Sequence, residues 1–205
     1  MTTHYLHLAW LLTLGMVLTG CGSSPPNNYY VLSAHEFATP GGGTPTLGVG
    51  PIEVPQYLSR TNLVFNDADN TLRVASLDLW AEPLSDGIQR VLVLNLAGLL
   101  NTQNVSFYPF HPKRVPEYGV KVNLLQLDAN DKEALLTAEW LVYRAATDTA
   151  VQRRISRLQA PLQAAQPEQV AAAYSALLYQ LSEIIAAAIT ADRAAGDDTA
   201  KPSQQ

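Results

Sequence analysis

The chain has 205 residues, 47% hydrophobic and 15% charged, with a formal net charge of −5, which fits one domain of ordinary size with a sizeable core. Nucleic acid rewards clustered Lys and Arg, so an acidic chain is a poor candidate for binding it. Cys21 is the only cysteine; an internal disulfide is excluded, and the core has to hold by packing alone.

Residues 8–18 form an apolar run with the length of a signal-peptide core, about half the roughly 20 residues that cross a bilayer. Directly behind it stands Leu18-Thr19-Gly20-Cys21, an order that resembles the bacterial lipobox. The resemblance implies that residues 1–20 are a lipoprotein signal peptide, removed before Cys21, and that Cys21 carries palmitate-type acyl chains. Each buried methylene contributes about 0.8 kcal/mol, so several chains hold a protein on a membrane essentially permanently. The segment before the run has His4 and His7 but no Lys or Arg, a departure from the usual basic start. Gly22, not Asp, follows the cysteine. By the same resemblance this implies sorting to the outer membrane, lipid-anchored and facing the periplasm.

Residues 21–28, the cysteine and a polar stretch with Pro25 and Pro26, read as a tether that reaches roughly 25 Å at about 3.3–3.6 Å per residue. A single domain is expected over residues 29–192. Tyr29-Tyr30-Val31-Leu32 reads as a first strand, residues 39–45 as a Pro/Gly loop, and residues 47–54 as a second strand. Residues 63–65 and 71–74 flank a polar five-residue loop and predict a hairpin. The aspartates of that loop lack the Gly and distal Glu of a calcium loop, so no metal site is expected. Pro83 opens a helix on which Leu84, Ile88, Val91, Leu92 and Leu99 recur at helical spacing. Its second half is apolar nearly all round, so the domain or a partner subunit covers more than one side. Alternation at Tyr118, Val120, Val122 and Leu124, and again over residues 134–144 and 150–158, predicts an antiparallel meander with one solvated face. Val170, Tyr174, Leu177, Leu178, Leu181, Ile184, Ile185, Ala188 and Ile189 form the stripe of a helix from Pro167 to about Asp192. Residues 193–205 read as a polar tail. The fold class expected is α+β: an antiparallel sheet with the two long helices packed on one face.

Catalytic groupings are missing: no Gly-x-Ser-x-Gly elbow, no His-Glu-x-x-His, no paired Cys/His ligands. His35 and His111 both stand in loop-like sequence. With no nucleophile, base and oxyanion donor assembled, an enzyme is not expected, nor is any cofactor beyond the lipid anchor on Cys21. Arg153, Arg154 and Arg157 are the one basic cluster: a solvated strand face, or a contact for lipid phosphates or an acidic partner.

Three segments read together carry a family resemblance. Tyr29-Tyr30-Val31-Leu32 follows the lipidation motif, Gly48-Val49-Gly50-Pro51-Ile52-Glu53-Val54-Pro55-Gln56-Tyr57-Leu58 precedes the hairpin, and Trp80-Ala81-Glu82-Pro83-Leu84 opens the first helix, which ends Asn95-Leu96-Ala97-Gly98-Leu99-Leu100. Over residues 29–100 this resembles the ABC-type transport auxiliary lipoproteins of the PqiC (paraquat-inducible protein C) type. The family motif falls on Tyr57, Leu58, Trp80, Glu82 and Pro83, expected to bind a partner or to hold the hairpin against the helix. Ser59-Arg60 departs from the acidic or polar pair common there. The resemblance implies an outer-membrane accessory subunit that docks an MCE-domain lipid-tunnel protein, contacts outer-membrane lipid, forms a homo-oligomer and supports envelope integrity. The alternative is a stand-alone structural or lipid-binding lipoprotein of the envelope, without a transporter partner.

Overall fold

The structure, a computed structural model, describes residues 25–68 and 70–200. The expected signal peptide, the expected lipidation site at Cys21, and residues 201–205 of the expected tail lie outside the described residues. Strands Asn28–Tyr30 (β1), Leu47–Glu53 (β2), Asn62–Ala68 (β3) and Thr71–Trp80 (β4) precede helix Leu84–Leu99 (α1). Strands Val105–Phe107 (β5), Tyr118–Ala129 (β6), Glu133–Arg144 (β7) and Thr149–Pro161 (β8) follow, and helix Pro167–Ala200 (α2) ends the described chain.

The α+β class holds, but a single antiparallel sheet does not. There are two sheets, ordered β1-β4-β3 and β5-β2-β6-β7-β8. The meander β6-β7-β8 is antiparallel as expected, whereas β2 runs parallel to both β5 and β6, and β1 runs parallel to β4. Alternation reports that a strand has two faces, not which way its neighbour runs. Parallel neighbours need a long crossover, and the β3–β4 hairpin with α1 is the crossover from β2 to β5. Leu47, Gly48, Val49 and Gly50 are all buried, as befits a strand covered on both faces.

Helix α1 lies against β2 and β5, helix α2 against β6, β7 and β8, and the helices touch each other. Most of the apolar surround of α1 is taken up within the domain: Ile88, Val91, Leu92, Val93 and Leu96 are buried, and Leu94 stays 49% exposed. The α2 stripe is the deepest layer, with Val170, Tyr174, Leu177, Leu178, Leu181, Ile185 and Ile189 all at 2% exposure or less. Each such side chain contributes about 1.5–3 kcal/mol by burial, far more than helix propensity differences of roughly 0.7 kcal/mol. Packing, not local preference, makes this helix. It also continues past the expected end near Asp192 to Ala200. Asp192 itself accepts from the Tyr118 hydroxyl and from Arg144, both at 2.7 Å, and so fastens α2 to β6 and β7. The hairpin differs too. The first strand extends into the expected five-residue loop as far as Ala68, the second starts at Thr71 as expected but runs on to Trp80, and the chain turns near Asn70 at φ 68°.

Candidate functional site: a strap between the helices

Between β1 and β2 the chain forms no strand or helix, yet its backbone is fastened at both ends. Irregular backbone near a core needs a partner for each polar group, and here both helices supply them. Arg90 of α1 donates to the Leu32 carbonyl at 2.9 Å, and the Ser33 N–H donates to Ser175 Oγ of α2 at 3.0 Å. The His35 N–H donates to Asn95 Oδ1 at 2.9 Å. At the far end the Gly41 N–H donates to the Asn101 side chain and the Gly42 N–H to the Asn101 carbonyl, at 2.9 and 3.0 Å. Contacts thus progress along α1 from Arg90 to Asn95 and on to Asn101, which follows the helix. This segment, residues 32–42, is a strap bonded to both helices. Rings complete it: His35 stacks on Tyr179 at 4.4 Å and meets Phe37 edge-on at 5.0 Å. Phe37 lies over Gly98, where a β-carbon would collide with its ring.

The family-motif residues divide between two supports of this region. Trp80 is 6% exposed and stacks on Tyr174 of α2 at 6.3 Å. Glu82 pairs with Arg90, the same side chain that holds the Leu32 carbonyl. The Pro83 carbonyl accepts from the Asp86 and Gly87 N–H groups and starts α1. Tyr57 and Leu58 form a short 3-10 turn after β2. Leu58 is buried, while the Tyr57 hydroxyl donates to Asp128 of β6 at 2.9 Å. Gln126 and Asn66 also donate to Asp128, so this carboxylate ties the turn and β3 to β6. The polar contact of Tyr57 is therefore to a strand.

Burial first, and the Asp128 charge second, pushes the Tyr57 phenol up to about 12. Tyr30 sits between two carboxylates, donating toward Asp78 at 3.1 Å or Glu168 at 3.2 Å. Burial, then these partners, pushes it up to about 12 as well. One hydroxyl has one proton to give, so Tyr30 serves one carboxylate at a time.

The three arginines do not form one cluster. In the β7–β8 register Arg153 faces Leu141 and Arg157 faces Thr137, while Arg154 stands opposite the buried Trp140. Residues opposite each other across a ladder share a face, so Arg154 is on the Trp140 side and the other two are on the reverse. There they flank Ile155, which is 66% exposed, and Arg153 lies 3.8 Å from Glu139. A period of two separates near neighbours in sequence; the arginine run reads as a cluster only when the strand's alternation is ignored.

A cleft of about 600 Å³ opens beside the start of the strap, lined by Tyr29, Val31 and His35 on one side and by Ala172, Ala176 and Tyr179 of α2 on the other. Tyr29 and Val31 are 64% and 52% exposed. Arg90, Asn95, Asn101 and Ser175 escape sequence reasoning as functional positions. The signal that was available is Arg90 and Asn95 interrupting a nearly all-apolar helix, where a polar side chain needs a buried partner.

A model of the family described as ABC-type transport auxiliary lipoprotein component matches residues 30–186. The chain is 29% identical over 139 residues to the intermembrane transport lipoprotein PqiC of Escherichia coli K12, covering 65% of this chain and 73% of that protein. Two crystal structures share the fold. One, of an uncharacterized protein, matches at TM-score 0.68 and 22% identity over 80% of this chain and 99% of that one. The other, protein XCC0632 from Xanthomonas campestris, matches at TM-score 0.67 and 14% identity over 82% and 99%. The match begins at Tyr30, at the threshold of the strap, and takes in both motif segments and most of α2. This chain belongs to the ABC-type transport auxiliary lipoprotein family.

Proposed function

We propose that this protein is an outer-membrane lipoprotein, acylated on Cys21, that serves as the accessory subunit of an MCE-type lipid transport system. It docks the outer-membrane end of a periplasmic lipid-tunnel protein, works as a homo-oligomer, and supports envelope integrity without catalysing a reaction. The observation that carries this reading is the family match over residues 30–186, which starts just behind the Leu18-Thr19-Gly20-Cys21 order. The likeness to an intermembrane transport lipoprotein supports it. So does the strap. A protein held by a tether of a few residues transmits any pull from a partner through residues 28–42, and those residues are bonded to both helices. Tyr57, Leu58, Trp80, Glu82 and Pro83 act in this reading as the framework behind the docking surface. Arg153 and Arg157 are a contact for an acidic partner.

The test is affinity purification from detergent-solubilised envelopes, comparing the native chain with Cys21→Ala. The reading expects an MCE-domain protein to co-purify with the native chain, and outer-membrane permeability to rise in the Cys21→Ala strain. A native protein that purifies without any MCE-domain partner, from cells whose permeability ignores Cys21→Ala, contradicts it and favours the stand-alone lipoprotein.

A further inference from the structure

We infer that the cleft between the start of the strap and α2 is the face that lies on the lipid leaflet, with Tyr29, Val31 and the exposed side of α2 at the level of the headgroups and upper acyl chains. The inference rests on the acylation of Cys21 proposed above. Its occupant is leaflet lipid, and the first reason is where the chain leads. Tyr29, at the cleft's edge, stands only eight positions after Cys21. Fully extended, that stretch spans at most about 29 Å, so the surface around Tyr29 is the part of the folded body held nearest the acyl chains.

The second reason is the composition of that surface. Residues 169–182 of α2 contain no Asp, Glu, Lys or Arg, although the flank with Ala172 and Ala176 is exposed. A helix flank meeting water normally carries charge. The uncharged surface continues past Ala172 and Ala176 into a second hollow, lined also by Gln169 and Gln180 of α2 and by Leu162 of the loop before it. Tyr29 and Tyr179 border the first cleft, and tyrosine is the side chain that settles at a bilayer interface, ring inward and hydroxyl wet. Glu168 is the one carboxylate lining the cleft, at the end where the Tyr30 hydroxyl reaches it. The surface suits lipid by its lack of charge, in the manner of an interfacial helix flank, and asks nothing of anionic headgroups.

Because Cys21 is the only native cysteine and is consumed by the anchor, one introduced cysteine can be labelled alone. Val31→Cys and Ala176→Cys place an environment-sensitive NBD fluorophore on either side of the cleft, both at exposed positions. Ile155→Cys places it on the side of β8 away from Trp140. Each full-length lipidated protein is reconstituted in phosphatidylethanolamine/phosphatidylglycerol vesicles and checked by flotation. The proposal expects blue-shifted emission and slow dithionite quenching at both cleft positions, and water-like emission with rapid quenching at Ile155→Cys. Cleft labels as exposed as Ile155→Cys, on protein that floats, overturn this proposal and leave the anchor intact. Cleft labels shielded from dithionite yet not quenched by nitroxide-labelled phospholipid would make a second copy the occupant and also overturn it. Protein that does not float overturns the acylation and this proposal together.

Discussion

The two halves of this domain are held in different ways. From Tyr118 onward the chain is regular: three long antiparallel strands and one long helix, with alternation or helical spacing plain in the residues. Before Leu100 the strands are shorter, three of them have a parallel neighbour, and the strap has no regular pairing. There, single side chains of and beside α1 hold backbone groups elsewhere. Arg90 holds Leu32, Asn95 holds His35, Asn101 holds Gly41, and Gln89 donates to the Val49 carbonyl at 2.7 Å. The regular half draws its stability from area removed from water, which is large and tolerant of detail. The irregular half adds Leu47, Phe65, Ile88 and Leu92 to the same core, but its strap depends on polar contacts, each worth little by itself but costly to leave half made. The residues nearest the anchor are thus fixed by a few replaceable bonds on a body that those bonds do not hold together.

Substitutions in the two halves should separate these contributions. The largest effect is expected from Trp140→Ala, because Trp140 is 1% exposed and its ring nitrogen donates to Ser156 at 2.9 Å. A loss of about 3–5 kcal/mol in global stability should appear as a lower urea midpoint. Asn95→Ala comes next. It strands the His35 N–H in the seam and should cost about 1–3 kcal/mol, with faster amide exchange confined to residues 33–37. Arg90→Ala removes the bond to Leu32 and leaves Glu82 without its cation. The expected cost is about 1–2 kcal/mol, since both side chains are about one-third exposed. Exchange should again rise in the strap while β7 stays protected. Uniform exchange across the domain in either variant would show that the two halves are one cooperative unit.

Alkaline pH gives a further separation. The Tyr57 phenol titrates at about 12 in the fold against 10.0 without it. Its protonated form is the one the fold prefers, so its contribution is full below pH 10 and is lost as pH rises through 12. Tyr30 behaves alike. Urea midpoints measured across that window should fall less steeply in Tyr57→Phe than in the native chain. The smallest effect belongs to Arg153→Ala, whose 3.8 Å pair with Glu139 is largely in solvent. Less than about 0.5 kcal/mol is expected, within the range of exposed ion pairs.

The same division explains what was legible in the sequence. Periodicity located β6, β7, β8 and α2 because their burial repeats along the chain, as the alternation of Val120, Val122 and Leu124 shows. It located β1 and β2 as strands but not their parallel partners, since pairing direction depends on the crossover and leaves no period behind. Composition marks residues 39–45 as a loop and His35 stands in loop-like sequence, so nothing in the chain announces the strap. Its order comes from Asn95 and Ser175, 60 and 142 positions away. The Glu82 and Tyr57 positions could be picked out as motif, but their partners Arg90 and Asp128 could not. The arginine run misled because three basic residues in five look like one patch until the strand parts them onto two faces.

Everything said about docking and orientation requires the body to hang from a bilayer by residue 21. Intact-mass spectrometry of the mature protein from envelopes tests this most directly. The account predicts a chain beginning at Cys21 and carrying the added mass of acylated glycerol and an N-terminal fatty acid. A mature chain with an unmodified Cys21 thiol would contradict it.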